Sequence, residues 1–220
     1  MHFVTLGDSI TYGEGASRPW RSYPNVLAAL FNRSMHRARS YGDILAQPGW
    51  TSADLRSAVV NSGNAVLSTS SAIVIWVGGD DLAAGALAVT RGAGQPAQLI
   101  AACIRRYALN LGQLLLYVRR VSRAPVYVCT QYNPFPNSAL AEQGISALNS
   151  ATAQVARRAG VRCVDSAAWF AGRQRELIAG YRTGTLRDAL RSPLPIHPSD
   201  AGHRVIAQGL YGVIAPNIHM

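Results

Sequence analysis

The sequence predicts an α/β fold: a doubly wound, about five-stranded parallel sheet with helices on both faces, in a single domain over residues 1–220. Three observations point there. Short apolar runs of strand length alternate with longer segments of three-four apolar spacing, which is the βαβ order of a parallel sheet. The middle runs are apolar without interruption, as strands covered on both faces must be. The first run ends in Gly7-Asp8-Ser9, a turn that puts a hydroxyl at the carboxyl end of a strand, where open α/β sheets hold their ligands.

Taken in order, the strands are predicted at 2–7, about 40–46, 72–77, 125–130 and 161–164. Helices are predicted at about 21–35, 52–62, 97–122, 138–159 and 199–214. Segment 97–122 carries Leu99, Ile100, Cys103, Tyr107, Leu111, Leu114, Leu115 and Val118 on one face. Asn137 or Ser138 caps the next helix, Gly160 follows it as a left-handed terminator, and Ser199 or Asp200 caps the last. The small-residue stretch 83–95 reads as a loop after the third strand. Segment 166–195 is the least legible, with Trp169 and Phe170 followed by scattered arginines.

Composition narrows the function classes. The chain is 49% hydrophobic and 15% charged, with a formal charge of +10. All 21 basic residues are arginines. They are dispersed, and the pairs Arg105-Arg106, Arg119-Arg120 and Arg157-Arg158 fall in predicted helices as solvated faces. No basic and aromatic array for single strands is present, so no nucleic acid partner is expected. Cys103, Cys129 and Cys163 are odd in number and lie in apolar contexts, which predicts buried free thiols, with Cys129 and Cys163 as small core residues in core strands. There is no Cys/His cluster of metal-ligand spacing, and no metal or cofactor is expected. No run of 18 uninterrupted apolar residues occurs, so no membrane span is expected. The amino terminus has no signal-peptide pattern, which makes a cytoplasmic location the default expectation.

A serine hydroxyl needs a base before it can act as a nucleophile, and imidazole has the right basicity. Five histidines are available. His2, His36 and His219 stand in unpromising contexts, whereas His197 in Pro195-Ile196-His197-Pro198-Ser199 lies just before the last predicted helix, with Pro198 keeping it extended. His203, inside that helix, is the rival. No G-x-G-x-x-G or P-loop follows the first strand, and Gly13-Glu14-Gly15 is too short to bind a nucleotide.

Four blocks occur in order: Gly7-Asp8-Ser9-Ile10-Thr11, Gly49 within Gln47-Pro48-Gly49-Trp50-Thr51-Ser52, Gly78-Gly79-Asp80-Asp81, and His197-Pro198-Ser199. Together they resemble the GDSL/SGNH hydrolases, a family of serine esterases and lipase-like enzymes on a flavodoxin-like fold. The resemblance implies an enzyme that hydrolyses carboxylic ester bonds, with Ser9 as nucleophile, His197 as base, and an oxyanion hole made of the Ser9 and Gly49 N–H groups and a side chain at position 80. It implies a small-molecule ester substrate, either a short-chain ester or an acetylated carbohydrate. Trp20, Trp50 and Tyr132 are expected to wall the substrate pocket, and Asp8 to form the turn. The sequence does not set the oligomeric state.

Two positions depart from the family. The aspartate three residues before the base is Leu194 here, so a backbone carbonyl near Leu194, Asp200 or Asp165 is left to orient His197. The asparagine of the oxyanion hole is Asp80, which accepts hydrogen bonds when ionised and donates one only when protonated. The alternative reading that follows is an ester- or carbohydrate-binding member of the same fold, impaired as a catalyst.

Overall fold

The computed structural model describes residues 1–34, 39–90 and 95–217. Five parallel strands, β1 (His2–Gly7), β2 (Tyr41–Ala46), β3 (Ala72–Trp76), β4 (Val126–Cys129) and β5 (Arg162–Val164), pair in the order β2-β1-β3-β4-β5. The chain leaves β1 towards one edge and returns to build towards the other. The carboxyl ends of β1 and β3 therefore flank the point where the winding reverses, which is where ligands bind in such sheets.

Side chains of the central strands alternate between two cores, as the period of two requires. Phe3, Val74, Trp76, Tyr127 and Cys129 face one layer; Val4, Leu6, Ile73, Ile75, Val126 and Val128 face the other. Their near-complete burial explains the uninterrupted apolar runs. The edge strand β2 is half exposed along its length, which is why its sequence is mixed.

The first layer is covered by α2 (Tyr23–Ser34) and, late in the chain, by α8 (Gln174–Leu177) and α9 (Asp200–Ile214). The second is covered by α3 (Ser52–Ser62), α4 (Asn64–Ser68), α6 (Pro96–Val121) and α7 (Ala139–Ala159). The predicted stripe on α6 is the buried one, from Tyr107 through Val118. By length and composition alone, Ala97–Val121 also meets the criterion for a membrane-crossing helix. Ser138 and Ser199 are the caps, accepting from Ala141 N–H and Gly202 N–H, and Gly160 ends α7 at φ +64°. The three cysteines are free; Cys129 is buried as expected, whereas Cys103 and Cys163 are only partly buried, Cys163 because β5 is the edge of the sheet.

The loop expected at 83–95 is corrected by α5 (Gly79–Thr90), a helix that begins directly after β3. Residues 91–94, His36 and His219 lie outside the described residues, as does residue 35 of the predicted helix 21–35.

Candidate active site

The site assembles from three strand ends in register. Gly7 is paired with Ala46 of β2 and with Trp76 of β3. Ser9, Gly49 and Asp80 stand two, three and four residues beyond this row, on neighbouring loops at one edge of the sheet. Asp8 forms the turn, as expected: its Oδ1 accepts from Ile10 N–H at 3.0 Å and caps α1 (Ser9–Tyr12). That capping places Ser9 at the first position of the helix, half exposed.

His197 reaches the same place from the far end of the chain. Its Nε2 lies 3.0 Å from Ser9 Oγ across 188 residues of sequence. The loop that carries it is fixed through backbone groups on either side. Tyr132 Oη donates to Ile196 O at 2.5 Å, Ala179 N–H donates to His197 O at 2.9 Å, and Ser199 N–H donates to Leu177 O at 2.7 Å. An antiparallel bridge between Ile178 and Pro198 completes the clamp. The segment least legible in the sequence thus supplies the strip against which the His197 loop is laid.

Burial holds the His197 imidazole below its ordinary pKa, and the charge of Glu14 partly offsets that. The ring is therefore neutral at pH 7 and able to accept a proton. Among the described residues no hydrogen-bond partner meets His197 Nδ1. The Leu194 carbonyl accepts from Ile196 N–H instead. Asp200 accepts from Ser17 N–H, Ser17 Oγ and Arg21 Nη1 at 2.8, 2.7 and 2.9 Å, and Asp165 accepts from Thr130 Oγ1 at 3.4 Å. None of the three candidate partners engages His197. His203 is fully buried and faces away from catalysis: Tyr23 N–H donates to its Nδ1, and its Nε2 donates to Glu14 O.

Gly49 has φ +82° and open space where a Cβ would project. A left-handed turn with nothing above it leaves the amide accessible, and glycine takes that conformation without strain. Neither Ser9 N–H nor Gly49 N–H has an acceptor among the described residues. The turn holding Gly49 is tied to the next loop by Asp81, whose carboxylate accepts from Ser52 N–H at 2.8 Å and Ser52 Oγ at 2.6 Å. Sequence reasoning missed this brace. Its only signal is that Asp81 follows Asp80.

Asp80 is partly buried, and burial together with the neighbouring charges of Asp81 and Asp54 pushes its carboxyl up to about 6. Asp8 is buried behind it. Burial first, then the charge of Asp80, push Asp8 up to about 8.

Of the residues expected to wall a pocket, Trp20 is 67% exposed on the short helical turn Pro19–Arg21, and Trp50 is half buried against the second core. Tyr132 sits elsewhere than expected. It is 3% exposed, stacks on Phe170 at 4.0 Å, and its hydroxyl is engaged by Ile196 O. It braces the His197 loop and presents no surface to a substrate. A cavity of about 450 Å³, lined by Arg119, Arg123, Pro125 and Arg162 among others, opens where β4 and β5 begin and includes none of these residues.

Comparison with known proteins identifies the family and the fold. A model of the GDSL-like lipase/acylhydrolase family matches residues 5–205. The chain belongs to that family. A search of curated proteins finds no match. Among solved structures, this family member is similar to a lipase from a goat rumen metagenome (TM-score 0.81, 20% identity, 96% of each chain covered). It is similar to a catalytic mutant of an acetylxylan esterase from Geobacillus stearothermophilus (TM-score 0.71, 16% identity, covering 96% of this chain and 92% of that one). It is also similar to an extracellular lipase from Streptomyces rimosus (TM-score 0.71, 21% identity, covering 96% and 99%). At these identities the likeness establishes the shared α/β fold.

Proposed function

We propose that this GDSL-family chain is a serine hydrolase of carboxylic esters, acting through an acyl-Ser9 intermediate with His197 as the base. The observation that carries the reading is the 3.0 Å approach of His197 Nε2 to Ser9 Oγ at the winding-reversal point of the sheet. Ser9 Oγ attacks the ester carbonyl while His197 takes its proton. His197 then gives that proton to the departing alcohol oxygen, and water activated by the same imidazole releases the acid. The alkoxide that forms in between needs donors, and one such donor is worth about 2.7–4 kcal/mol. The free N–H groups of Ser9 and Gly49 suit that role, and a protonated Asp80 suits it as a third. The acetylxylan esterase and lipases on the same fold support short-chain esters or acetylated sugars as the substrate class.

A second reading is favoured by Asp80 alone. With its carboxyl at about 6, position 80 is mostly an anion at neutral pH and repels an oxyanion there. On that reading the chain binds esters or carbohydrates and turns them over poorly. A serine-directed fluorophosphonate separates the two. Labelling at Ser9, with hydrolysis of p-nitrophenyl esters that disappears in Ser9→Ala, supports the hydrolase. A chain that neither labels nor hydrolyses any ester across roughly pH 4–9 is a binder.

A further inference from the structure

Leu194 stands where the family resemblance implies an acid, and neither Asp165 nor Asp200 takes its place at His197. The loop that follows α1 runs against His197 Cβ and the backbone of Pro198. The N–H groups of Gly13 and Glu14 both donate to Ser9 O, at 3.0 and 2.9 Å. Gly15 then takes φ +85° at a point where a Cβ would lie 3.0 Å from His197 Cβ and 2.3 Å from Pro198 O. Only glycine lets backbone pass this close. Glu14 is thus pinned beside the His197 loop by its own backbone: its N–H is bound to Ser9 O, and its carbonyl accepts from His203 Nε2 at 3.0 Å. Two residues past Gly15, Ser17 is held by Asp200 through both N–H and Oγ, and Arg21 is held by the same carboxylate.

From this arrangement we infer that Glu14 is the positioning carboxylate of the site: its charge serves His197 in place of the missing aspartate, and Asp200 and His203 form the strap that keeps it there. The inference rests on the ester-hydrolase reading for its catalytic meaning. The Asp-x-x-His spacing at 200–203 acts on the loop that carries Glu14, not on the reacting atoms.

The physical basis is the charge that His197 acquires in the transition state. An imidazolium beside a carboxylate is stabilised even without a shared hydrogen bond, by an amount that depends on separation and screening. Glu14 is half exposed, so the effect is modest. Consistent with it, Glu14 is the charge that raises the His197 pKa against the lowering due to burial. The other titratable groups on the surrounding elements act differently. His203 on α9 stays neutral down to about pH 4, and Asp200 at the head of α9 is paired with Arg21. Asp8 beneath Ser9 keeps its proton up to about pH 8, and Asp80 lies on the opposite, β3–α5 side.

The test is Glu14→Gln, which keeps size and backbone and removes the charge. The pH dependence of kcat/KM on p-nitrophenyl acetate is expected to move its acid limb to lower pH by roughly 0.5 unit, with kcat on the plateau down about fivefold and KM little changed. Glu14→Asp should recover most of the loss. An acid limb that stays in place, with Gln and Asp variants equally slow, would show that residue 14 is merely structural and overturn the inference. The proton NMR titration of His197 in the unmodified chain and in Glu14→Gln tests the same coupling without turnover. A lower His197 pKa in the variant upholds the charge coupling even if no ester is hydrolysed, and an unmoved one overturns it. Absence of both turnover and Ser9 labelling in the unmodified chain would instead sink the hydrolase reading.

Discussion

Tyr132 Oη donates to the carbonyl of Ile196 at 2.5 Å, one residue before the histidine that meets Ser9. The tyrosine is buried between Phe170 and Trp76, so its ring is fixed and the carbonyl is fixed with it. Tyr132→Phe keeps the ring and removes the donor. A buried acceptor left unpaired costs about 1–3 kcal/mol. The variant is therefore expected to unfold at lower denaturant by about that amount. Its kcat on a short-chain ester should fall several-fold while KM holds, because His197 loses its register to Ser9. Stability and kcat both equal to those of the unmodified chain would show that the loop is held without this bond.

On the proposed hydrolase reading, Asp80 is expected to make the pH optimum acidic. The His197 pKa lies below its ordinary 6.5, so the base becomes competent as pH rises towards neutrality. Asp80 loses its proton near about pH 6, so on the hydrolase reading a third oxyanion donor is lost as pH rises through that value. The product of the two is a bell-shaped kcat/KM with its maximum below pH 7. Asp80→Asn supplies a donor at every pH. It is expected to leave the acid limb in place, remove the alkaline decline around pH 6, and raise activity at pH 7.5 by roughly tenfold. A rate that stays the same or drops at pH 7.5 refutes repulsion at position 80.

Asp8 carries a stability cost that depends on pH. Its carboxyl is raised to about 8 in the folded chain against an ordinary 3.8, first by burial and then by Asp80. Between these values the folded state keeps a proton that the unfolded chain has released, so stability falls as pH rises from about 4 to about 8 and levels off above. Asn caps a helix as well as Asp does. Asp8→Asn is therefore expected to be near neutral in stability at low pH and stabilising at pH 8, on the order of 5 kcal/mol. Urea titrations at the two pH values give the difference directly. Equal effects at both would show that Asp8 titrates normally.

Much of the fold is readable from the chain alone. Strands β1, β3 and β4 announce themselves because they are buried on both faces, α6 because one face of it is buried, and α7 and α9 because their caps are also written in Ser138, Gly160 and Ser199. Helix α5 is hidden by its small residues. Gly85 looks like a loop glycine, yet a Cβ there would lie 2.8 Å from Cys103 Sγ, so it marks a close helix–helix approach. At the site, Ser9 and His197 are legible because the chemistry requires those side chains. Their supports are not. Leu177–Ala179 and the Ile196 carbonyl act through backbone groups that any residue provides, and the Asp81–Ser52 bond joins residues 29 apart with no periodic signal. The Asp-x-x-His at 200–203 is the opposite case, a pattern that invites a catalytic reading while its geometry ties down a loop.

That histidine yields a prediction of opposite sign to Asp8. His203 is fully buried, and burial drives its pKa down to about 4. Nδ1 accepts from Tyr23 N–H, so the ring's single proton sits on Nε2 and is donated to Glu14 O. A second proton would have to displace the Tyr23 bond. Between about 6.5 and about 4 the unfolded chain takes up a proton that the folded chain refuses, so stability present above pH 6.5 is lost as pH falls through this window, by up to about 3 kcal/mol. His203→Gln loses packing and at least one hydrogen bond, and is expected to be less stable at pH 7 by about 1–3 kcal/mol. It cannot titrate, however, so the gap between its stability at pH 7 and at pH 4.5 should shrink relative to the unmodified chain. His197 keeps a smaller part of the slope, because burial depresses it too. If the variant loses as much stability on acidification as the unmodified chain, the acid sensitivity lies elsewhere and His203 is not held neutral by the fold.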